Sequence, residues 1–324
     1  MVGVTQLPRR DPSSCTEATG STATRAISGT ISRWYLENAR DLPWRAPGYG
    51  AWGVLVSEIM LQQTQVSRTE LAGADQEPAR GDRVSESGRA SCTPAALAAE
   101  PPSAAVRMWD RLGYPRRALA LHAAATVIAE QHGDVVPDDV DALLALPGIG
   151  DYTARAVAVF AYGQRHPVVD TNVRRVLARA LRGVGEAGPP ATRRDLAEMA
   201  AVLPEDVAAS TVVNAGVMEL GQVVCTARNP RCDVCPVAHL CAWRAAGYPV
   251  YDGPAAPKQA RFEGSDRQVR GRIMAELRAS DVPVSRTELA GADQDPARVD
   301  RVLAGLVADG LAVGDARVGW RLPG

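Results

Sequence analysis

The chain lacks any uninterrupted apolar stretch near the roughly 20 residues that a membrane span requires, and its N-terminus has no apolar core of a secretory signal. Both absences point to a cytoplasmic protein with no membrane partner. It also lacks an excess of positive charge. Its 36 basic and 37 acidic residues leave a formal charge of -1, which excludes a global positive field as the means of holding a polyanion. Any nucleic-acid partner must be held by local features. Lysine is nearly missing, Lys258 being the only one, and arginine takes its place. Cysteine is too scarce for a disulfide scaffold: Cys15 and Cys92 stand alone, and the other four fall between 225 and 241. What remains is a 324-residue chain, 46% hydrophobic and 23% charged, long enough for two globular domains.

Residues 1–24 are rich in Ser, Thr, Gly and Pro without apolar period and are expected to form a disordered tail. From there to 243 the period is helical, with candidate helices at 51–65, 104–112, 117–131, 140–146, 152–162, 173–182, 193–201 and 208–220. A stretch carrying prolines and glycines over 244–265 predicts a linker. Beyond it, residues 266–324 show three short helical patterns and a hairpin pattern around a Gly-Asp turn, as in a winged-helix module. The expected fold is therefore an all-α core followed by a small winged-helix-like C-terminal domain. One segment is duplicated: 66–84 matches 284–302 at 17 of 19 positions, the differences being Glu77/Asp295 and Gly81/Val299. Two copies do not make a solenoid, so the first reads as a segment inserted into the helical core.

Leu146-Pro147-Gly148-Ile149-Gly150 lies between two helical patterns. Its glycines allow a tight hairpin whose amides sit at the start of the next helix, a nest that binds phosphate without basic side chains. Twenty residues on, Asp170 stands where another helix begins. Read alone it is an N-cap, which the helix dipole would keep ionised. Glu58 lies on a helical pattern among Val54, Leu55 and Leu61, where desolvation would push its pKa upward. A carboxyl that stays protonated and one that stays ionised are the pair that breaks a glycosidic bond. The cysteines follow C-x6-C-x2-C-x5-C. Zinc would use four thiolates, but only Cys232 and Cys235 form a close pair, and four thiolates in one short loop suit a [4Fe-4S] cube better. Arg228 and Arg231 lie between the first two ligands, Cys225 and Cys232, and would turn guanidinium groups outward.

The LPGIG hairpin, Asp170 and the four-cysteine spacing together resemble the helix-hairpin-helix, Gly/Pro-Asp superfamily of DNA glycosylases over residues 26–243. Within it, Leu42-Pro-Trp-Arg45 and Ser57-Glu-Ile-Met-Leu-Gln-Gln-Thr-Gln-Val66 look like the adenine DNA glycosylase branch, which removes adenine mispaired with 8-oxoguanine. The resemblance implies that Glu58 protonates adenine and that Asp170 stabilises the sugar cation or a covalent sugar intermediate. It implies supporting roles for Tyr152 and Asn172, DNA contacts from Gln63, Leu146, Gly148, Ile149 and Gly150, and cluster ligation by Cys225, Cys232, Cys235 and Cys241. The expected partner is duplex DNA containing mismatched adenine, bound by a monomer. The endonuclease III type, a rival within the superfamily, carries a nucleophilic lysine just after the hairpin; Tyr152 stands there instead, implying a monofunctional enzyme. A non-catalytic iron-sulfur DNA-binding regulator is the rival from another class, and the Glu58/Asp170 pair speaks against it.

Two features depart from the family. Only about 60 residues of different pattern follow Phe262, where members commonly carry a larger domain resembling nucleotide hydrolases. Residues 67–91 replace an amphipathic helix with aromatic anchors. Burying the single Leu71 contributes about 1.5–3 kcal/mol, less than the roughly 1–2 kcal/mol per residue needed to order the segment, so no stable long helix is expected there.

Overall fold

The computed structural model describes residues 13–46, 48–62, 64, 93–254 and 261–324. The inserted segment 67–91, Gln63, residues 1–12 and part of the expected linker lie outside the described residues. The helices are α1 (Ser13–Asn38), α2 (Ala51–Leu61), α3 (Pro94–Ala99), α4 (Pro102–Trp109), α5 (Arg116–Gln131), α6 (Val140–Leu144), α7 (Asp151–Phe160), α8 (Thr171–Ala180), α9 (Thr192–Val202), α10 (Val207–Val223), α11 (Ala242–Ala245), α12 (Asp266–Ala279) and α13 (Pro296–Ala308). Strands β1 (Val313–Asp315) and β2 (Gly319–Arg321) form an antiparallel hairpin, so the described core is all-α as expected. Among the described residues no helix is long and apolar enough to cross a membrane.

Helix α1 corrects the expected tail, since it begins at Ser13 rather than after residue 24. No proline interrupts 13–38, and once Ile27 and Ile31 anchor the C-terminal half in the core, extending the helix adds a hydrogen bond for each residue fixed. Residues 94–99, too short a run for a periodic signal, form α3 because Pro94 sits at N1 and the Thr93 hydroxyl accepts from Ala96 N at 3.2 Å.

The chain divides into two compact units, each with its own apolar core. One comprises residues 1–40 and 163–256, and in it α1, α8, α9 and α10 pack around Ile31, Leu177, Met199 and Leu220. Buried charge in it is paired: Glu219, 1% exposed, receives Arg40 Nε at 2.5 Å, Arg40 also donates to Gln222, and buried Asp195 pairs with Arg174 at 2.7 Å.

The other comprises residues 41–162 and 257–324, so the C-terminal module shares a unit and a core with α2–α7. Arg107 of α4 donates to the carbonyls of Arg278 and Ser280 and pairs with Asp281, and Ser103 N donates to Pro323 O. Within the module Val284 bridges to Trp320, while Leu289 and Val299 are fully buried in the same core as Ile273, Leu277, Leu303 and Leu306.

Candidate catalytic and iron-sulfur sites

Helices α6 and α7 enclose the hairpin. Leu146 and Ile149 are buried, so outward the motif offers Gly148 and Gly150, both exposed. Gly148 has φ +75, and a Cβ there would lie 2.5 Å from Ala120 Cβ, so only glycine fits. Gly150 is the N-cap of α7 and supplies no side-chain cap, whereas α6 is capped by Asp139 and α10 by Asp206. The N-terminal amides of α7 thus have no side-chain cap of their own and carry the positive end of the dipole. Tyr152 is half-buried in the first turn, and Asp151 beside it is paired with Arg155 at 3.0 Å.

Helix α2 carries Glu58, 6% exposed, in the same unit. Its C-terminal end is held from two sides. Gln62 donates to the Thr153 hydroxyl of α7 at 3.2 Å. Arg117 donates to Ile59 O at 2.9 Å, to Met60 O and Gln62 O, and to the Thr64 hydroxyl. This guanidinium also lies over the rings of Trp109 and Tyr114, 5.2 and 5.4 Å from their centroids. Tyr114 is half exposed with φ +49, a strained conformation for a tyrosine.

Asp170 is the N-cap of α8 in the other unit. Its Oδ1 accepts from Val173 N at 2.7 Å and its Oδ2 from Asn172 Nδ2 at 2.7 Å. Burial works against the helix dipole at this carboxyl. Burial pushes its carboxyl above the usual range, and the Val173 and Asn172 hydrogen bonds and the Arg175 charge offset only part of that. Asn172 Oδ1 in turn accepts from Arg175 Nη2 at 2.7 Å, and Arg175 donates to Gly221 O and Cys225 O. A Cβ on Gly221 would lie 2.8 Å from Asn172 Cβ, so glycine lets α10 approach this network.

The backbone of Cys225 therefore joins the Asp170 network to the cysteine loop. Cys225, Cys232, Cys235 and Cys241 line one pocket with Arg179 and Trp243. Arg179, buried, donates to Cys225 Sγ at 3.4 Å and to the carbonyls of Thr226 and Gly185, and its guanidinium sits 4.7 Å from the Trp243 ring centroid. Among the described residues no three His, Cys, Asp or Glu side chains converge closely enough for a single metal ion. Four thiols lining one pocket suit a cluster held by four sulfurs. In the protein alone, burial chiefly pushes the Cys235 thiol up to about 11, opposed by a backbone hydrogen bond at Val237 and reinforced by the other sulfurs, so ligation must displace protons. Arg228 and Arg231 are exposed, Arg231 donating to Val223 O at 2.7 Å.

The expected residues thus fall into groups: Glu58, Tyr152 and the hairpin on one unit, and Asp170, Asn172 and the cysteines on the other. Sequence reasoning missed Arg117, Arg175 and Arg179. The available signal was the i, i+4 spacing of Arg175 and Arg179, which places both on the face of α8 that meets the cysteine loop.

Comparisons with known proteins agree with this geometry. Residues 56–201 match the model of the HhH-GPD superfamily base excision DNA repair protein, and residues 225–241 match the iron-sulfur binding domain of endonuclease III. The chain is 50% identical over 305 residues to the adenine DNA glycosylase of Mycobacterium tuberculosis, covering 94% of this chain and 96% of that protein. It is 53% identical over 279 residues to that of Mycolicibacterium smegmatis, covering 86% and 89%. A thermostable thymine-DNA glycosylase structure superposes with TM-score 0.59 at 23% identity, over 69% of this chain and 98% of that one, a likeness of fold. The chain accordingly belongs with proteins that carry a [4Fe-4S] cluster, and all four cysteines lie within the matched residues 225–241.

Proposed function

This chain belongs to the adenine DNA glycosylases, a DNA N-glycosylase family of base excision repair, and from that premise we propose that it excises adenine mispaired with 8-oxoguanine or guanine from duplex DNA, with Glu58 and Asp170 as its catalytic carboxyls. Adenine inside a duplex is out of reach, so it must be flipped out, at an unstacking cost of a few kcal/mol that is smallest at a mismatch. The amides at Gly148 and Gly150 and the N-terminus of α7 bind backbone phosphate; Gln63, Arg228 and Arg231 add contacts to the DNA.

Glu58 gives its proton to a ring nitrogen of adenine. The bond between that base and the sugar C1′ then breaks, its electron pair leaving with the base. Asp170 stabilises the positive charge on the sugar, water adds to C1′, and the water proton returns to the Glu58 carboxylate. Asn172 holds the Asp170 carboxylate by donating to it, and Tyr152 supports the pair from the first turn of α7. A bound [4Fe-4S] cluster would be held by Cys225, Cys232, Cys235 and Cys241 and would cross-link the 225–241 loop.

The observation that supports this reading best is Asp170 itself, a carboxylate gripped at both oxygens yet half-buried, which raises the cost of its charge until a cation forms beside it. The experiment is single-turnover excision on duplexes carrying A opposite 8-oxoguanine, G or T. The parent should act on the first two, and Glu58→Gln should lose excision while retaining duplex binding. Rapid excision by Glu58→Gln would remove the proton donor from the scheme. Because Tyr152 follows the hairpin where an amine would be needed, borohydride should trap little enzyme on DNA. Trapping as efficient as that of a strand-cleaving enzyme would overturn the monofunctional reading.

A further inference from the structure

The stretch that delivers Asp170 to the start of α8 is irregular. Residues 163–169 belong to no helix or strand, so their backbone groups need partners from elsewhere. Two side chains tie the segment down, one its own and one from α10. Arg165 donates from Nε to Pro204 O at 2.7 Å and from Nη2 to Leu203 O at 3.1 Å, tying the segment to the turn between α9 and α10. Asn214, on α10, does more. Its Oδ1 accepts from Val168 N at 3.0 Å, and its Nδ2 donates to His166 O at 3.0 Å and to Ser210 O at 3.1 Å.

Those two backbone groups flank Pro167. In an extended chain the carbonyl of one residue and the amide of the next residue but one point to the same side, so the Asn214 amide pairs with them as a neighbouring strand would. Proline has no N–H to offer on the other edge, so only this edge both donates and accepts. Only one orientation of the amide satisfies all three bonds, since oxygen must face the N–H and nitrogen the two carbonyls. Asn214 and Val168 are each fully buried, so no solvent competes for these groups.

We propose that Asn214 is a positioning residue for Asp170: by clamping the peptide groups on either side of Pro167 from α10, it fixes where the chain enters α8 and hence where the Asp170 carboxylate sits. The α8 cap orients the carboxylate relative to its own helix, whereas the Asn214 clamp ties the arriving chain to α10. The inference rests on Asp170 being the carboxylate that supports the sugar cation, and a displacement of about 1 Å at such a group can cost roughly 100-fold in rate.

The test uses the full-length, cluster-loaded protein and the duplex with A opposite 8-oxoguanine, comparing Asn214→Leu, a near-isosteric variant without the amide, and Asn214→Gln, which keeps the amide but moves it by one methylene. Asp170→Asn is run beside them. Far-UV circular dichroism, iron per chain and duplex affinity establish that each variant is folded and loaded. For Asn214→Leu the single-turnover rate should fall about 100-fold with duplex affinity unchanged, and the acid limb of the pH profile should move to higher pH. The limb moves because loosened Val173 and Asn172 hydrogen bonds no longer hold the Asp170 carboxyl down against burial. If Asn214→Leu does not fold, Asn214→Gln decides by the same two readouts, with a smaller expected loss. A parental rate overturns the proposal. So does a lowered rate with an unmoved limb, which is what general loosening of the fold gives. Should Asp170→Asn retain excision, the catalytic reading fails first and separately.

Discussion

Helices α7 and α8 are both ten residues long and begin from almost the same backbone: φ -103, ψ 174 at Gly150 and φ -100, ψ -175 at Asp170. What differs is the side chain at that point. Asp170 turns its own carboxylate onto the amide of Val173, so the start of α8 is closed by a negative group of the protein. Gly150 leaves the start of α7 open, and an anion from outside can take the place that a carboxylate takes in α8. In the proposed mechanism one helix N-terminus holds the catalytic carboxylate and the other receives a substrate phosphate, and one residue separates the two uses. The same electrostatics serve both ends, so variants that exchange or remove the capping group should separate chemistry from binding.

The largest effect is expected at the closed end. Asp170→Asn keeps the cap, because asparagine is as good an N-cap as aspartate, but removes the charge. Excision should fall by roughly 1000-fold or more, with the melting temperature near that of the parent. Asp170→Ala should lose excision to a similar extent and also cost about 1 kcal/mol of stability through the lost cap. Single-turnover assays and thermal melts check both. Equal stability of the two variants would show that the cap contributes nothing, and retained excision by Asp170→Asn would deny the carboxylate its role.

Much of this was legible in the chain itself. The LPGIG hairpin, the cysteine spacing and the cap at Asp170 are local signals, and local signals fix helix starts well: α8 was expected from Val173 and begins at Thr171. What stayed hidden depends on residues far apart in sequence. Asn214, in a run of alanines and valines, looks like any helix asparagine until Val168 and His166 are seen beside it. Arg175 and Arg179 passed without notice in the helical pattern 173–182, yet both turn onto the cysteine loop. The core was read as one continuous helical stretch, but its helices divide between two units because periodicity reports that a face is buried and not what buries it.

A smaller effect is expected when the open end is closed. Gly150 has an extended backbone that any residue adopts, and nothing lies within 4 Å of a Cβ placed there. Gly150→Asp should therefore cap α7 as Asp170 caps α8, stabilising the protein by a few tenths of a kcal/mol. Its carboxylate would also occupy the phosphate position and repel DNA. Duplex affinity should weaken about tenfold, equivalent to about 1.4 kcal/mol, and equally for A opposite 8-oxoguanine and A opposite T, since phosphate contacts carry no base information. At saturating enzyme the excision rate should be unchanged. Unaltered affinity in a binding titration would mean that the α7 terminus does not meet phosphate.

The smallest effect sharpens the account of Asp170 rather than breaking it. Burial raises its pKa in the folded protein above the usual carboxylate value, and the proposed mechanism uses the ionised form. The acid limb of single-turnover excision should therefore lie above the ordinary aspartate range, provided the enzyme saturates the DNA at each pH. The same shift has a stability consequence of fixed sign. A carboxyl whose folded pKa is raised contributes stability that is fully present below its unfolded pKa and is lost as pH rises through the folded value. Asp170→Asn has no such titration, so its stability relative to the parent should grow across that interval and stay level above it. Denaturant melts of both proteins from pH 4 to 8 measure the difference directly, and a relative stability that fell with rising pH would mean that hydrogen bonds from Val173 and Asn172 outweigh burial at this site.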